Sequence, residues 1–356
     1  MSLRRTVQIA SGTGALVTGL AALTLPSSFL LESPGPIFNT TGEIDDWPVI
    51  TVNGSETYET EGSLALTTVF VTGAPTSTVR VPEAIAGWLS PSIDLTPQEL
   101  VYPSGTTAEE VQQRNTEAMA SSQELALAAA LDYIDTDYAV ELSVMDFTEE
   151  ALEAGTDQLL APGDVVLAAQ DEPVTGLEGL RQAVNEAAGE PVELTVVRDG
   201  EHVEVAAPTY QEADGEYYVG ILLASEFDFP VEADIRLQDV GGPSAGLMFA
   251  LGIIDTMTEE SLTGGQDWAG TGTVDPDGTV GPIGGIAQKV VGAEDEGAEH
   301  FLVPRENCDE LEGRLPSGLD VYGVEDVDQA VGIVEAVRDG DTDSLAGLEP
   351  CGRNGG

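Results

Sequence analysis

Residues 239–255 read DVGGPSAGLMFALGIID, and this segment constrains the fold more than any other. Pro243 suits the first turn of a helix, where its missing N–H would have no partner anyway. Leu247, Met248, Leu251 and Ile254 recur at helical spacing, so one face of that helix is buried. Ser244 then sits at the amino end of the helix, after a glycine pair that permits close approach to the backbone. Unpaired N–H groups and the positive helix end point at whatever Ser244 holds. A tetrahedral oxyanion is one candidate. Taken alone, a first-turn serine is an ordinary feature, and a second signal is needed.

Lysine usage supplies it. The chain has 12 basic and 64 acidic side chains, for a net charge of −52. Eleven of the basic residues are arginine, and the only lysine is Lys289. It lies in TVGPIGGIAQKVVGAEDEGA, residues 279–298, where Gly284-Gly285 leads into a helix carrying Ile286, Val290 and Ala293 on one face. Arginine does not lose its proton, whereas lysine shifts its pKa readily when buried. A retained amine implies a role that arginine cannot fill. Serine needs its Oγ proton removed to act as a nucleophile, and a neutral amine can take it. The amine must fall from about 10.4 toward 7, which is roughly 4–5 kcal/mol of disfavoured charge. Apolar neighbours supply this by desolvation. A nearby carboxylate, or the field of so acidic a chain, opposes it. The sequence therefore predicts a dry pocket with no carboxylate paired to Lys289, and activity that improves with salt.

The acidity also excludes nucleic acid as a partner, since phosphate binding requires clustered Lys and Arg. It implies a salt-rich habitat: at about 1 M salt the Debye length falls to roughly 3 Å and self-repulsion is screened. A 42% hydrophobic content excludes bulk disorder. The length allows two to three domains. Two histidines, His202 and His300, and two cysteines, Cys308 and Cys351, are too far apart in sequence for a zinc pattern, and no metal or cofactor is expected. The cysteines could pair outside the cytoplasm or remain free thiols.

Residues 6–31 carry no charge and follow Arg4-Arg5. A helix over Val7–Leu25 would be roughly 28 Å long, close to the thickness of a bilayer core of about 30 Å. The basic pair predicts that the amino end stays in the cytoplasm and the body lies outside. A cleaved signal peptide is the alternative, but no clear A-x-A site follows the apolar run. Residues 1–31 are thus expected to form a membrane anchor.

After ESPGPIFNTTG, read as a linker, residues 48–72 are expected to form strands (PVITV, ETYET, LALTTVFVTG) and residues 83–105 to be irregular. Thr107 and Glu110 form a capping-box pattern that opens a helix to about Ile134. Residues 138–208 read as a separate unit: a strand, a short helix, LAPGDVVLAAQDEPV, a helix over 177–188, and two strands joined by a tight Asp199-Gly200 turn. This unit resembles a PDZ domain of the bacterial type, most specifically in its Pro162-Gly163-Asp164 turn. The resemblance implies binding of extended peptides by strand addition. The usual carboxylate-binding glycine loop is not evident over 138–145, and a spacer without a ligand is the other reading. The segment 209–345 alternates strands and helices, including YYVGILLAS, VEADIRLQD, a hairpin in TGTVDPDGTVG, a helix over 285–296, the strand HFLVP and a helix over 327–337.

Together GPSAG, the Thr271-Gly272 pair, PIGG with a lysine four residues on, and FLVPRENCDEL resemble the proteolytic domain of Lon-type serine proteases. The arrangement as a whole is similar to membrane-anchored Lon-like proteases with a PDZ insertion. The resemblance implies an α+β fold: a Lon proteolytic domain of the ribosomal-protein-S5-domain-2-like type, an inserted PDZ β-barrel and an N-terminal transmembrane helix. Its parts would be residues 1–31, 32–137, 138–208, 209–345 and a tail over 346–356. It implies a Ser-Lys dyad of Ser244 and Lys289, with Gly242, Pro243, Ala245 and Thr271 as oxyanion or active-site support. It further implies polypeptide substrates and a homo-oligomer, in that family commonly a hexameric ring. Two positions depart from the family: Gly241 stands where an acidic residue precedes the serine, with Asp239 displaced, and Ala287 replaces the first lysine of a K-E-K run. There is no Walker A loop, so Lon's own ATPase is not implied.

Two other readings compete. Residues 242–246 also fit G-x-S-x-G, the α/β-hydrolase elbow, which needs a downstream acid and then a histidine. His300 is the one histidine after Ser244, and this reading leaves Lys289 unexplained. A non-catalytic PDZ adaptor with a dead protease fold is the other alternative, and it gives no reason to retain a single lysine.

Overall fold

In the computed structural model, which describes residues 11–14, 19, 23–213, 215–237, 240–341, 345 and 351, the first long strand forms where the sequence predicts a linker. Strand β1 runs Phe29–Asn39, straight through Pro34-Gly35-Pro36. Its ladder to the strand Ser63–Thr72 shifts register between Pro34 and Ile37, an irregularity that suits residues lacking an N–H. A Cβ at Gly35 would collide with Thr68, whose hydroxyl donates to Pro36 O at 2.7 Å. Composition points to a loop, but pairing with a distant strand overrides it. The expected anchor lies mostly outside the described residues, and Phe29–Leu31, placed in it from the sequence, belong to β1. Among the described residues, no helix is long and apolar enough to cross a membrane.

Next come β2 (Ile50–Asn53), β3 (Ser63–Thr72), α1 (Val81–Trp88), β4 (Asp94–Pro97) and α2 (Ala108–Tyr133). Residues 56–60 are not a strand, whereas α1 and β4 occupy the stretch expected to be irregular. Helix α1 is too short for periodicity to reveal it, and it starts on Pro82 and a Glu83 carboxylate that accepts from Arg80 N at 2.7 Å. Helix α2 opens with its capping box: Glu110 N donates to Thr107 Oγ1, and Thr107 N to the Glu110 carboxylate.

The inserted compact unit spans Thr136–Pro230, more than the 138–208 expected. It contains β5 (Ala139–Phe147), β6 (Val165–Ala169), α3 (Leu177–Glu186), β7 (Val192–Arg198), β8 (Glu201–Ala207) and β9 (Ile221–Asp228). The antiparallel strand order is β8-β7-β6-β5-β9. The boundary moves because β9 pairs along all of β5, from Ile221 opposite Phe147 to Asp228 opposite Ala139. Alternation identifies a strand but not its partner. The Pro162-Gly163-Asp164 turn is held by buried Asp164, whose carboxylate accepts from Ala161 N and from the Arg198 guanidinium. Leu142, Leu160, Val166, Leu180, Leu194 and Val196 give this unit a core of its own.

The other unit takes chain from both sides of the insertion. It continues with β10 (Glu232–Ile235), paired with β2, then α4 (Gly246–Met257), β11 (Asp267–Gly270), α5 (Ile286–Asp295), β12 (His300–Pro304), β13 (Asp320–Val324) and α6 (Val327–Asp339). Its main sheet has the order β13-β12-β11-β3-β1-β4. The strands from β13 to β3 are parallel, and β1 is antiparallel to both neighbours. The class is α+β.

Helix α4 was expected to bury one face, yet every residue from Gly246 to Asp255 is buried. It lies on the sheet face of Leu64, Leu66 and Gly270, where a Cβ on Gly270 would meet Met248 Sδ. Helix α5 lies on the other face: Ile286, Val290 and Ala293 cluster with Ala65, Ala269, Phe301 and Val303. Successive strand residues point to opposite faces, so the two helices flank the sheet. Cys308, in this second cluster, forms a disulfide with Cys351.

Candidate active site

Although α4 and α5 lie on opposite faces of the sheet, Ser244 just before α4 and Lys289 on α5 meet beyond the end of β11. Lys289 Nζ lies 2.7 Å from Ser244 Oγ and 2.8 Å from Thr271 Oγ1. Thr271 is the first residue after β11 and is fully buried. The strand end is thus the point at which Lys289, from one face, reaches both the Thr271 hydroxyl and the Ser244 hydroxyl.

Pro243 and Ser244 precede the helix and do not open it. Helix α4 begins at Gly246 with Ala245 as its cap. The reason is local: the Ser244 carbonyl turns to the strand end, accepting from Gly272 N at 3.0 Å and from Thr271 Oγ1 at 2.9 Å. Leu247 N donates back to Gly272 O at 3.1 Å. These bonds stitch the start of the helix to the end of the strand.

Helix α2 holds the other side of the turn. Asn115 O accepts from Gly242 N at 3.0 Å, and Ser122 Oγ donates to Pro243 O at 3.1 Å. Gly242 adopts φ +90, which a side chain would strain. With the Gly242 N–H engaged and none on Pro243, these two residues shape the turn and offer no amide to a substrate oxygen. At the head of α4 Gly246 N donates to Pro243 O and Leu247 N to Gly272 O, whereas among the described residues no backbone acceptor is found for the Ser244 and Ala245 amides just before it. No sequence signal marked Asn115 or Ser122, since neither belongs to the capping box that announces α2. A Cβ on Gly241 would press on Asn115 Cβ, while the displaced Asp239 lies outside the described residues.

Lys289 is 3% exposed, and burial pushes its amine down to about 7. Ile286, Ala287, Gln288, Val290 and Gly292 around it on α5 are also buried. Ala287, the departure from the K-E-K run, is part of the hydrophobic cluster. The turn into α5 is clamped by Asn307, which accepts from Ile283 N and donates to Ile283 O, both at 2.9 Å. Gly285 takes φ +71 with Val69 against it. Asn307 lies within the FLVPRENCDEL stretch, and only the fold reveals its part.

Counting hydroxyl protons orients the site. Thr271 has one O–H, and it is committed to the Ser244 carbonyl. Its oxygen can therefore only accept from Lys289. With one amine N–H held there, the lone pair of neutral Lys289 is available to the Ser244 hydroxyl. His300, the rival base, packs at a tilt against the rings of Trp268 and Tyr322 instead. Among the described residues, no group of three or more His, Cys, Asp or Glu side chains could hold a metal ion.

Residues 238–335 match the Lon protease (S16) C-terminal proteolytic domain. Lon protease 1 of Herpetosiphon aurantiacus is 32% identical over 130 residues, covering 35% of this chain and 16% of that protein. Lon protease 1 of Sorangium cellulosum is 37% identical over 93 residues, covering 25% and 11% respectively. This chain thus spans only 16% and 11% of the length of these curated relatives. The solved PDZ domain of an SdrC-like protein from Listeria monocytogenes overlaps 23% of this chain and 85% of its own, at 13% identity and a TM-score of 0.21, below the range in which a shared fold follows.

Proposed function

We propose that this chain, a Lon-like serine protease by its residues 238–335, is an ATP-independent, membrane-anchored endopeptidase that cleaves polypeptides outside the cytoplasm through Ser244 and Lys289. The observation that carries the reading is the 2.7 Å approach of a buried, neutral-leaning amine to a serine hydroxyl at a helix start. Lys289 takes the Oγ proton as Ser244 attacks the scissile carbonyl. The oxyanion forms beside the Ser244 and Ala245 amides just before α4. The ammonium, held by Thr271 Oγ1, then gives its proton to the leaving amine. An acyl group remains on Ser244, and a water deprotonated by Lys289 releases it.

Supporting the extracytoplasmic reading are the uncharged run over residues 6–31 and the Cys308–Cys351 disulfide, which suits an oxidising compartment. The inserted unit is read as a PDZ-type module that recruits or gates substrate, on the strength of its Pro162-Gly163-Asp164 turn and antiparallel sheet. Ring assembly rests on the family resemblance alone.

The test is cleavage of an unfolded polypeptide in high salt. Ser244→Ala and Lys289→Arg should abolish it, and His300→Ala should leave it. Loss with His300→Ala but not with Lys289→Arg would favour the elbow mechanism. No cleavage by the unaltered chain, together with no acylation of Ser244, would favour the adaptor.

A further inference from the structure

Helix α1 is built inside out. Its buried residues are the small Ala84 and Gly87, while Ile85, Trp88 and the following Leu89 are 51%, 75% and 72% exposed. Positions i, i+3 and i+4 share one helix face, so the three form a single apolar surface. A Cβ on Gly87 would crowd Leu31, Ile93 and Leu95. The helix therefore rests on β1 and β4 by its small side and lifts its large side chains outward. Residues 84–93, AIAGWLSPSI, carry no charge in a chain with 64 acidic residues.

The amino-terminal chain arrives at this helix. Ser27 N donates to Val79 O at 2.7 Å, and Val81 N donates to Leu25 O at 3.2 Å. Pro26 and Arg80 form an antiparallel bridge. Leu25, 56% exposed, is thus tied to the first turn of α1. It lies at the carboxyl end of the predicted spanning helix, within the uncharged run over residues 6–31.

We infer that α1 lies in the headgroup region of the bilayer that this run enters, with Ile85, Trp88 and Leu89 turned toward the acyl chains. The inference rests on reading the run as a membrane anchor. An interfacial helix holds an apolar face at that depth, and Trp is the side chain most at home there. The lack of charge over 84–93 matters because an anionic lipid surface repels the rest of so acidic a chain.

The test uses the full chain in vesicles of neutral and anionic lipid, carrying Trp47→Phe so that exposed Trp47 is silent. Trp268, wholly buried, remains as a constant signal. Trp88 emission should shift to the blue and be quenched by lipids brominated near the headgroup end of their chains. Trp88→Phe should remove the quenched signal, and Ile85→Ser with Leu89→Ser should abolish the shift. A chain that floats with vesicles but leaves Trp88 unquenched overturns this inference while the anchor stands. A chain that does not float overturns both. Trp88→Ser converting an oligomer to a monomer, with Trp88 unquenched, would instead assign the face to a second copy.

Discussion

The hydroxyl of Thr271 donates to the carbonyl of Ser244 at 2.9 Å, and this bond decides how Lys289 is oriented. Thr271→Val removes both the donor to Ser244 O and the acceptor for Lys289. The expected outcome is a fall in kcat of about 100-fold with KM little changed, because misplaced reacting groups cost about that much. Thr271→Ser keeps the hydroxyl and should retain most activity. Steady-state kinetics of the two variants separate this role from simple packing.

The pH profile follows from burial. Lys289 lies near 7 in the fold, against 10.5 for a free lysine. Cleavage should rise with pH through about 7, with unit slope on a log scale, and then level off as the amine becomes neutral. A profile that falls through this range would contradict the dyad.

The same shift has a stability consequence. Between about pH 7 and 10.5 the unfolded chain binds a proton at this lysine that the folded chain does not. This contribution is therefore fully present above 10.5 and lost as pH falls to 7, where the cost reaches about 5 kcal/mol. Lys289→Met should abolish cleavage yet raise Tm near neutral pH, with the gain vanishing at high pH. Thermal melts across this range check it.

Asp255 is another buried titratable group and lies in the last turn of α4, where the helix end disfavours a carboxylate. Its Oδ1 accepts from Leu262 N at 2.6 Å, and no partner for Oδ2 is found among the described residues. Burial pushes the carboxyl up from 3.8 to about 6. The folded form thus holds the proton more tightly, so this stability is present below 3.8 and lost as pH rises through about 6. Asp255→Asn keeps the acceptor and should stabilise by up to about 3 kcal/mol near neutral pH, with no gain in acid. Melts at the two pH values decide it.

The Cys308–Cys351 disulfide closes a span with a sequence separation of 43, and the chain-entropy model assigns such a loop about 4 kcal/mol. Cys351→Ser should lower Tm markedly. It should leave cleavage at low temperature intact, because neither sulfur is among the groups around Ser244.

Salt should act on the site through the whole-chain field. A net charge of −52 favours the ammonium form of Lys289. Raising salt from about 0.1 to about 2 M screens this field, so the midpoint of the pH profile should move down and activity near neutrality should rise. Flat or falling activity would sink the prediction.

Much of the site could be read from single segments. The lone lysine, the glycine pairs before each helix, the Thr271-Gly272 pair and the apolar period of α4 are local patterns, and local sterics and burial give them meaning. The Thr107 capping box and the Asp199-Gly200 turn formed where expected for the same reason. What the chain could not express locally is pairing across distance. Pro34-Gly35-Pro36 became strand because Thr68 and its neighbours accept it. The strand over Ile221–Asp228 joined the inserted unit because β5 was there to pair with it. Asn115, Ser122 and Asn307 became supports only when the fold brought the turns at 242–243 and at 283 against them. Residue types set the available chemistry, a serine and an amine able to lose its proton. Tertiary structure decided that the two meet, by placing α4 and α5 on opposite faces of one sheet and ending β11 between them, in a site buried enough to bring the amine down to about 7.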